Sequence, residues 1–384
     1  MEHSQSPPAT DYVVPYGPGE LVHVPQHSDG PDVFTKDNRV TPQGWIYVAK
    51  RVIADFSVDA MLDRAAALTY YAVLSIAPMI LAVYSIATLL LPRDEAAVND
   101  IIDDFIALYV PEALEDEALR FLLTVIGTPA QSTIALVVSI VISLLSASAY
   151  VRSFSRNANV MYGRMEGRNL VRTWFTMWVT TLVMVLGVIV IIVGTFLRES
   201  IVNGLLQPIA EPLGMTDTVD YLTKIFLPVW DYARFPVIIV TAIALISVLY
   251  YVSPNVRPEK FRLLTLGSSM ALTAIFIIWL GFSWFIGTIG ISSAYGAFGT
   301  AGAVLVLVWV MNVVLLEGVK IDAEVLRVKQ LQAGYDAETI IQVPPRSTKA
   351  VDFRLKVQRW IDRSASTLKA QEEDDDDVEE GPEA

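Results

Sequence analysis

The chain contains no cysteine, and its 384 residues include only three histidines, His3, His23 and His27. Without cysteine there is no disulfide, no thiol nucleophile and no thiolate metal ligand. All three histidines lie in the proline-rich segment of residues 1–42, so the remaining chain offers no imidazole to a zinc site. No nucleophile–base pair and no phosphate-binding loop is visible either. The sequence therefore predicts no metal, no cofactor and no enzymatic activity.

Charge is also scarce, because Asp, Glu, Lys and Arg make up only 18% of the residues. Hydrophobic residues make up 53%, and the mean hydropathy is +0.48. Much of the net charge of −13 comes from the last fourteen residues of the chain, which include the acidic run of residues 372–377. An acidic balance of this kind gives no support to nucleic-acid binding. The composition is typical of an integral membrane protein.

The hydrophobic residues form six long blocks separated by charged segments. Each block is close to the roughly 20 residues that a helix needs to cross a bilayer. We therefore predict an all-α fold, a polytopic membrane bundle of six transmembrane helices. The predicted spans are residues 66–91, 131–151, 173–197, 235–252, 263–288 and 298–321.

The loops between these blocks alternate between basic and poorly basic. Two arginines face nine acidic residues in the first loop, whereas five arginines face the single Glu166 in the second. Basic loops remain in the cytoplasm. The alternation predicts that both termini are cytoplasmic and that residues 92–130, 198–234 and 289–297 are external.

The segments around the membrane domain of residues 65–321 divide by composition. We expect a disordered cytoplasmic leader over 1–42, an amphipathic interfacial helix over 43–64, a polar cytoplasmic tail over 322–369 and a disordered acidic end over 370–384. Apolar stripes between Val98 and Val125 predict amphipathic helices in the first external loop, and the loop around Gly204–Trp230 reads in the same way. These helices would either cap the bundle or act as a lid over a cavity.

The first span carries a proline beside hydroxyl side chains. Tyr71, Ser75 and Pro78 share one helical face, and Pro78 frees the carbonyl of Leu74. Such a kinked helix can line a polar pathway. Neighbouring helices can equally satisfy the kink without any functional role, and both readings stay open here.

The sixth span contains Asn312 inside an apolar run, with Glu317 and Lys320 near its cytoplasmic end. Ionisable residues within a span are costly and are candidates for function. Since Glu317 and Lys320 are three residues apart, we expect them to pair on one face. The alternative is that both lie shallow enough to reach the headgroups.

Four motifs, in order, resemble the YihY/BrkB family of bacterial inner-membrane proteins over roughly residues 45–330. The motifs are Ala66-Ala67-Leu68 with Tyr70, Tyr71, Ser75 and Pro78; Ser153–Asn159, which includes Asn157 and Asn159; Tyr251–Asn255, which includes Pro254; and Tyr295-Gly296-Ala297-Phe298-Gly299 with Trp309. The family has Gly-Ala-Glu-x-Asn at the end of the last span, where this chain has Gly318-Val319-Lys320-Ile321-Asp322. A lysine thus replaces the family's acid, and Glu317 lies one turn earlier.

The resemblance implies six helices, cytoplasmic termini and a bacterial plasma-membrane location, but it supplies no established activity. Members have carried the label ribonuclease BN, and the scarcity of histidine argues against that label. We expect a protein for transport or for lipid or envelope handling, in contact with the lipid bilayer and with an unknown small-molecule or lipid substrate. The alternative is a non-catalytic scaffold with tails that recruit partners. The sequence leaves the oligomeric state open.

Overall fold

A computed structural model describes residues 12–15, 21–24, 38–90, 132–197, 202, 216–256, 262–289 and 296–379. The predicted helices between Val98 and Val125, the candidate residue Tyr295 and the last residues 380–384 lie outside this part of the chain. The side chain of Pro78 also lies outside it, although the backbone at that position is helical.

The described part of the chain is helical apart from one pair of short strands and one isolated bridge between Val256 and Pro345. Strands β1 and β2 pair antiparallel, with Tyr12 opposite Val24. They lie in the segment that the sequence predicts to be a disordered leader. The strands are β1 (Tyr12–Pro15) and β2 (Leu21–Val24). The helices are α1 (Pro42–Val58), α2 (Met61–Leu90), α3 (Ser132–Met161), α4 (Leu170–Phe196), α5 (Thr216–Tyr221), α6 (Leu227–Val252), α7 (Leu266–Ile289), α8 (Gly296–Gln332) and α9 (Lys349–Glu379).

Four stretches in the described residues are long and apolar enough to cross a membrane. They are Leu170–Thr195, Val219–Val252, Leu266–Phe285 and Ala301–Gln332. Their surfaces carry large exposed apolar side chains such as Leu186, Ile239 and Trp279, which a water-soluble bundle would bury. The prediction of an all-α membrane protein is confirmed at this level: the chain is a multi-pass membrane protein in contact with lipid.

The main core lies where α2, α3, α6 and α8 meet. Leu68, Phe154 and Leu316 are completely buried there, and the Phe154 ring stacks on Tyr250 at a centroid distance of 6.0 Å. The Tyr250 hydroxyl donates to the Leu315 carbonyl at 2.6 Å. Apolar packing and a satisfied polar tip together fix α6 against α8.

Helices α7 and α8 cross at two glycines. A Cβ added to Gly267 would lie 1.8 Å from the carbonyl oxygen of Gly318, so a side chain cannot fit. Beside this contact, the Asp322 carboxylate accepts from the Gly267 backbone N–H at 2.7 Å and from the Thr265 hydroxyl at 2.5 Å. Gly302, nearer the start of α8, has open space around its Cβ position, so the close approach occurs at Gly318 and not at Gly302.

Helix α1 and the end of α8 differ from the predicted boundaries. Helix α1 ends at Val58, and a turn at Asp59–Ala60, where Ala60 has φ 49°, separates it from α2. Gly44 and Val48 on α1 are buried, and a Cβ on Gly44 would lie 2.7 Å from the Val328 side chain of α8. Helix α8 continues beyond the predicted end at residue 321 to Gln332. The extra turns give α1 a surface on which to pack.

The chain after α8 folds back onto the bundle before α9 begins. Ile341 and Val343 pack with Ala323 and Val256 in a small apolar cluster. The Gln330 side chain donates to the Gln342 carbonyl at 2.8 Å and accepts from its backbone N–H at 2.9 Å. The first part of the predicted polar tail is therefore an integral part of the fold.

Candidate functional site

Helix α8 carries a row of polar residues on its inner side, here called the α8 polar strip. The strip consists of Asn312, Glu317, Lys320, Glu324 and Arg327. At 100° per residue, these positions fall within a sector of about 140°. From Asn312 to Arg327 the helix rises about 22 Å, a large part of a bilayer's thickness. The strip faces α1, α2 and α3.

Asn312 is buried and joins three helices by hydrogen bonds. The Tyr150 hydroxyl of α3 donates to Asn312 Oδ1 at 2.8 Å, and Asn312 Nδ2 donates to the Thr69 hydroxyl of α2 at 3.1 Å. Thr69 in turn donates to the Ala65 carbonyl at 2.8 Å. Each polar group therefore has a partner inside the apolar bundle, as the low dielectric there requires.

Lys320 lies at the centre of an acidic cluster, and its ammonium group is only 5% exposed. Its Nζ atom is 2.7 Å from Asp55 Oδ2, 2.9 Å from Asp59 Oδ2 and 3.4 Å from Glu324 Oε1. The predicted Glu317–Lys320 pair is wrong. Residues outside the predicted span supply the counter-charges, because the turn after α1 brings two carboxylates over the lysine.

Glu317 consequently has no counter-ion in contact with it. Both of its carboxylate oxygens are buried and neither has a hydrogen-bond partner. The charged groups that act on it through space are Lys320 and Asp59. An unpaired buried carboxylate is costly and is rarely retained without a purpose. Glu317 is therefore the residue of the α8 polar strip whose charged group has neither a hydrogen-bond partner nor a contacting counter-ion in the described structure.

The polar residues of the strip nearest the C-terminal end of α8 all have partners. Glu324 is completely buried and pairs with Arg327 at 2.7 Å. Arg327 also donates to the Ala337 carbonyl at 2.8 Å and the Glu338 carbonyl at 3.2 Å. Arg327 thus links the strip to the returning chain after α8.

A second network joins the motif in the last turns of α3 to the motif at the end of α6. The Asn255 backbone N–H donates to Asn159 Oδ1 at 2.6 Å, and Asn159 Nδ2 donates to Glu166 at 3.0 Å. Glu166 accepts two hydrogen bonds from Arg168, at 2.6 and 2.7 Å, and Arg168 also donates to the Ser253 carbonyl at 2.7 Å. Two motifs that lie about a hundred residues apart in sequence therefore form one polar unit.

Two buried groups extend this network to the residues before α9. Asn255 Nδ2 donates to the Ser347 carbonyl at 3.0 Å, and the Arg164 guanidinium donates to the carbonyls of Ile341 and Val343. Burial, with Arg327 nearby, lowers the pKa of Arg164 to about 10. The hydrogen-bond acceptors of Arg164 are backbone carbonyls. The returning chain therefore stabilises the buried guanidinium in place of a counter-ion.

The remaining predicted residues are spread over the bundle. Tyr70 is 62% exposed on the outer surface, while Tyr71 is half-buried beside it at a ring distance of 5.4 Å. The Ser75 hydroxyl donates to the Ala72 carbonyl at 2.6 Å, within its own helix. Trp309 donates to the Leu62 carbonyl at 3.1 Å. These contacts hold α2 in place, and they connect neither Tyr71 nor Ser75 to Lys320.

Four motif residues have structural surroundings of other kinds. Asn157 is buried and accepts a hydrogen bond from Arg64 at 3.0 Å. Pro254 is buried in the bend between α6 and Asn255. Gly296 and Gly299 lie in the first turn of α8, and Gly299 is half-buried.

Sequence reasoning missed several residues that complete these networks: Asp55, Asp59, Thr69, Tyr150, Arg164, Glu166, Arg168, Glu324 and Arg327. In the sequence, Arg164 and Arg168 indicate only the orientation of the chain in the membrane. A lone Glu166 among five arginines was a usable sign of a buried pair. No group of acidic or histidine side chains in the described residues is placed to hold a metal ion.

Comparison with known proteins gives one match. No curated protein and no solved structure matches the chain. The family model described as virulence factor BrkB matches residues 52–339, which is well over half of the chain. The matched range begins in α1, covers every element of the α8 polar strip and of the Asn159–Asn255 network, and ends within the chain that returns after α8. The protein therefore belongs to the virulence factor BrkB family.

Proposed function

We propose that this protein is a plasma-membrane transporter or lipid-handling protein in which a polar path follows the α8 polar strip. The observation that carries the proposal is the buried Glu317 carboxylate, which has no hydrogen-bond partner. It lies between the satisfied Asn312 chain and the Lys320 cluster along the helix. A cation, a proton or a polar substrate group that bound to the carboxylate would supply the partner that it lacks.

The composition of the strip supports a path more than simple packing. Simple packing in membranes relies on small residues, as at the Gly267–Gly318 crossing. The strip instead places an amide, two acids and two bases along about 22 Å of one helix. Such groups are expensive in a bilayer unless water, a ligand or protein partners solvate them.

The proposal includes six spans with both termini in the cytoplasm. Helices α2 and α3 each contain 30 residues, about 45 Å of helix, which is more than a span requires. With the four apolar stretches described above, they complete six. The basic loops then all lie on one side.

Single cysteines in this cysteine-free chain test the orientation. An impermeant thiol reagent should label Asp104→Cys in intact cells and should label Gln358→Cys only after the cells are permeabilised. Arg168, although it lies in a basic loop, is a poor reporter because it is buried. Labelling of Gln358→Cys alone in intact cells would reverse the orientation.

Cysteine accessibility also tests the path itself. A small, charged, water-soluble thiol reagent should react with Glu317→Cys and Asn312→Cys, since a thiolate forms only where water reaches it. Val304→Cys, an exposed position on the other side of the same helix, should stay unreactive. Thr69→Cys probes the same place as Asn312 if the Asn312 variant fails to fold. A bundle in which every inner position is as unreactive as Val304→Cys has no aqueous path, and the transport proposal fails.

A scaffolding role is the second candidate, and the extended hydrogen-bond network of Asn159 and Asn255 favours it. Glu166, Arg168, Asn159 and Asn255 bond to one another and to backbone carbonyls, as in a rigid structural joint. A dry interior combined with loss of stability on Asn255→Ala would support the scaffold.

We also propose that the protein is not an enzyme and, in particular, not a ribonuclease. The support is the confinement of its three histidines to residues 1–42 and the lack of a metal-binding group among the described residues. The purified protein should not cleave RNA with or without divalent metal. Cleavage that survives deletion of residues 1–42 and is lost on substitution of membrane-domain carboxylates would contradict this.

A further inference from the structure

Helix α9 exposes a row of large apolar side chains outside the membrane bundle. Phe353 is 68% exposed and Trp360 is 67% exposed. Three more members of the row, Val357, Ile361 and Leu368, are also exposed. In the described structure nothing covers this row, here called the α9 apolar face. Free apolar surface of this kind marks an interaction site.

The spacing of these residues makes the face continuous. Intervals of four, three, one and seven residues place the five side chains within a sector of about 100° on the helix. Gln358 lies outside this sector, about 110° from its centre. The face is therefore a stripe along the helix, suited to contact with a flat apolar surface.

Basic residues line both edges of the stripe. Lys349, Lys356 and Arg363 fall along one edge, and Arg354 falls along the other. Arg359 and Arg363 donate only weakly, at 3.3 Å, to carbonyls of their own helix. An apolar stripe between cationic edges is the pattern of a helix that lies in the plane of an anionic membrane surface.

The first turn of α9 is attached at the end of the transmembrane bundle. The Ala350 backbone N–H donates to the Gly167 carbonyl at 2.9 Å, and Val351 is buried. A Cβ on Gly167 would lie 1.9 Å from the Ser347 carbonyl oxygen, so the two backbones touch. Gly167 lies three residues before the start of α4, a membrane-crossing helix. Helix α9 therefore starts next to the bilayer surface.

We propose that α9 binds the adjacent leaflet through anionic phospholipid, with the α9 apolar face inserted among the acyl chains and Lys349, Arg354, Lys356 and Arg363 on the headgroup phosphates. The acidic run of residues 372–377 follows on the same helix and is repelled by the same headgroups. The helix has two parts of opposite charge, and only the first binds the membrane. This assignment is independent of what the α8 polar strip does.

The full-length protein in lipid nanodiscs tests the proposal, because a single cysteine can be labelled uniquely. Val357→Cys lies in the middle of the face, and Gln358→Cys is the matched control. Each is labelled with an environment-sensitive fluorophore, in nanodiscs of phosphatidylcholine alone or mixed with phosphatidylglycerol. Lipid-attached nitroxide should quench the probe at 357 at least about twofold more than the probe at 358, and only the anionic nanodiscs should give the full difference.

Neutral substitutions of the basic residues along the edges distinguish the contribution of charge to membrane binding from that of apolar contact. Arg354→Gln, Lys356→Gln and Arg363→Gln together should remove most of the anionic-lipid effect, and high salt should weaken it in the parent protein. Two outcomes overturn the proposal. One is equal exposure of both probes to water in anionic nanodiscs. The other is protection of the probe at 357 that appears only when each nanodisc holds two protein copies, which would mean that a second chain covers the face.

Discussion

Lys320 on α8 lies 2.7 Å from Asp55 on α1, although 265 positions separate them in the sequence. Asp59 and Glu324 complete the surroundings of the ammonium group. One side chain thus holds the amphipathic N-terminal helix against the last membrane helix. The Gly-Ala-Glu-x-Asn pattern of the resemblance has a glutamate at this position, so the positive sign of the charge at the centre of the cluster is a property of this chain.

Replacing Lys320 with methionine should destabilise the protein strongly. Three carboxylates that are buried or mostly buried would lose their shared counter-ion, and Glu324 is completely buried. The expected loss in the free energy of unfolding is about 3–5 kcal/mol. Unfolding of the purified protein in detergent, followed by circular dichroism, measures it.

Lys224→Met is the matched control for this change. Its contact with Asp220 is 2.6 Å long, close to the 2.7 Å between Lys320 and Asp55, but Lys224 is 71% exposed. The expected loss is about 0–1 kcal/mol. Similar losses for the two variants would mean that the Lys320 cluster is solvated and does not hold α1 in place.

Replacing Glu317 with glutamine should leave stability unchanged within about 1 kcal/mol, or raise it, because the carboxylate has no partner to lose. Because Lys320 acts on the Glu317 carboxylate through space, the double variant with Lys320→Met should lose less stability than the sum of the two single changes, by about 0.5 kcal/mol or more. Unfolding of the two single variants and the double variant measures both numbers. A strong loss in the free energy of unfolding on Glu317→Gln, partly cancelled by Lys320→Met, would instead support the direct Glu317–Lys320 pair that the sequence predicts.

Gly318→Ala should separate α7 from α8. The added methyl group would lie 2.4 Å from the Tyr250 hydroxyl and 2.7 Å from the Gly267 carbonyl oxygen, so backbone has to move. Forced movement of this kind typically costs about 1–3 kcal/mol. Thermal unfolding measures the loss.

Gly302→Ala is the control on the same helix. Its Cβ would meet no atom within 4 Å, and alanine favours helix by about 1 kcal/mol over glycine. The control should therefore be neutral or stabilising. Equal losses at the two positions would show that backbone flexibility, rather than the crossing, explains the glycines.

Arg164→Met should release the chain that returns after α8. The guanidinium donates to the Ile341 and Val343 carbonyls, and methionine keeps the apolar part of the side chain while removing those donors. Amide hydrogen exchange of residues 337–347 should accelerate about tenfold or more. Arg172→Met, at an exposed position in the first turn of α4, should leave exchange unchanged. Unchanged exchange in Arg164→Met would mean that the apolar cluster of Ile341 and Val343 suffices to hold the segment.

The apolar blocks were the part of the fold that sequence could predict, because the bilayer sets the length and composition of a span. The centres of α4, α6, α7 and α8 fall within the predicted blocks. The extension of α8 to Gln332 was not predictable from hydropathy, since those turns are polar and owe their order to contacts with α1 and with residues 341–343. Helix α9 was missed as a unit because its strongly acidic end masks the basic amphipathic half in any average over the segment.

The candidate site was also predictable only in part from the sequence. Asn312, Glu317 and Lys320 stood out because a polar residue in an apolar run is expensive wherever it points. Their partners did not stand out, because Thr69, Tyr150 and Asp55 are ordinary residues for the helices that hold them. Helical spacing made Glu317 the natural partner of Lys320, and the turn at Asp59–Ala60 provided closer carboxylates.

The sequence by itself determined that this protein lives in a membrane, that its chemistry uses no thiol and, beyond residues 1–42, no imidazole, and that charged residues near the end of α8 require an explanation. Those conclusions depend on which residues are present and on their distance along one helix, both of which a linear chain contains. Only the tertiary structure decided which charges meet, that Glu317 is left unpaired and that the chain after α8 returns to the bundle. Those outcomes depend on how separate helices pack, and a contact across 265 residues has no local signature in the sequence.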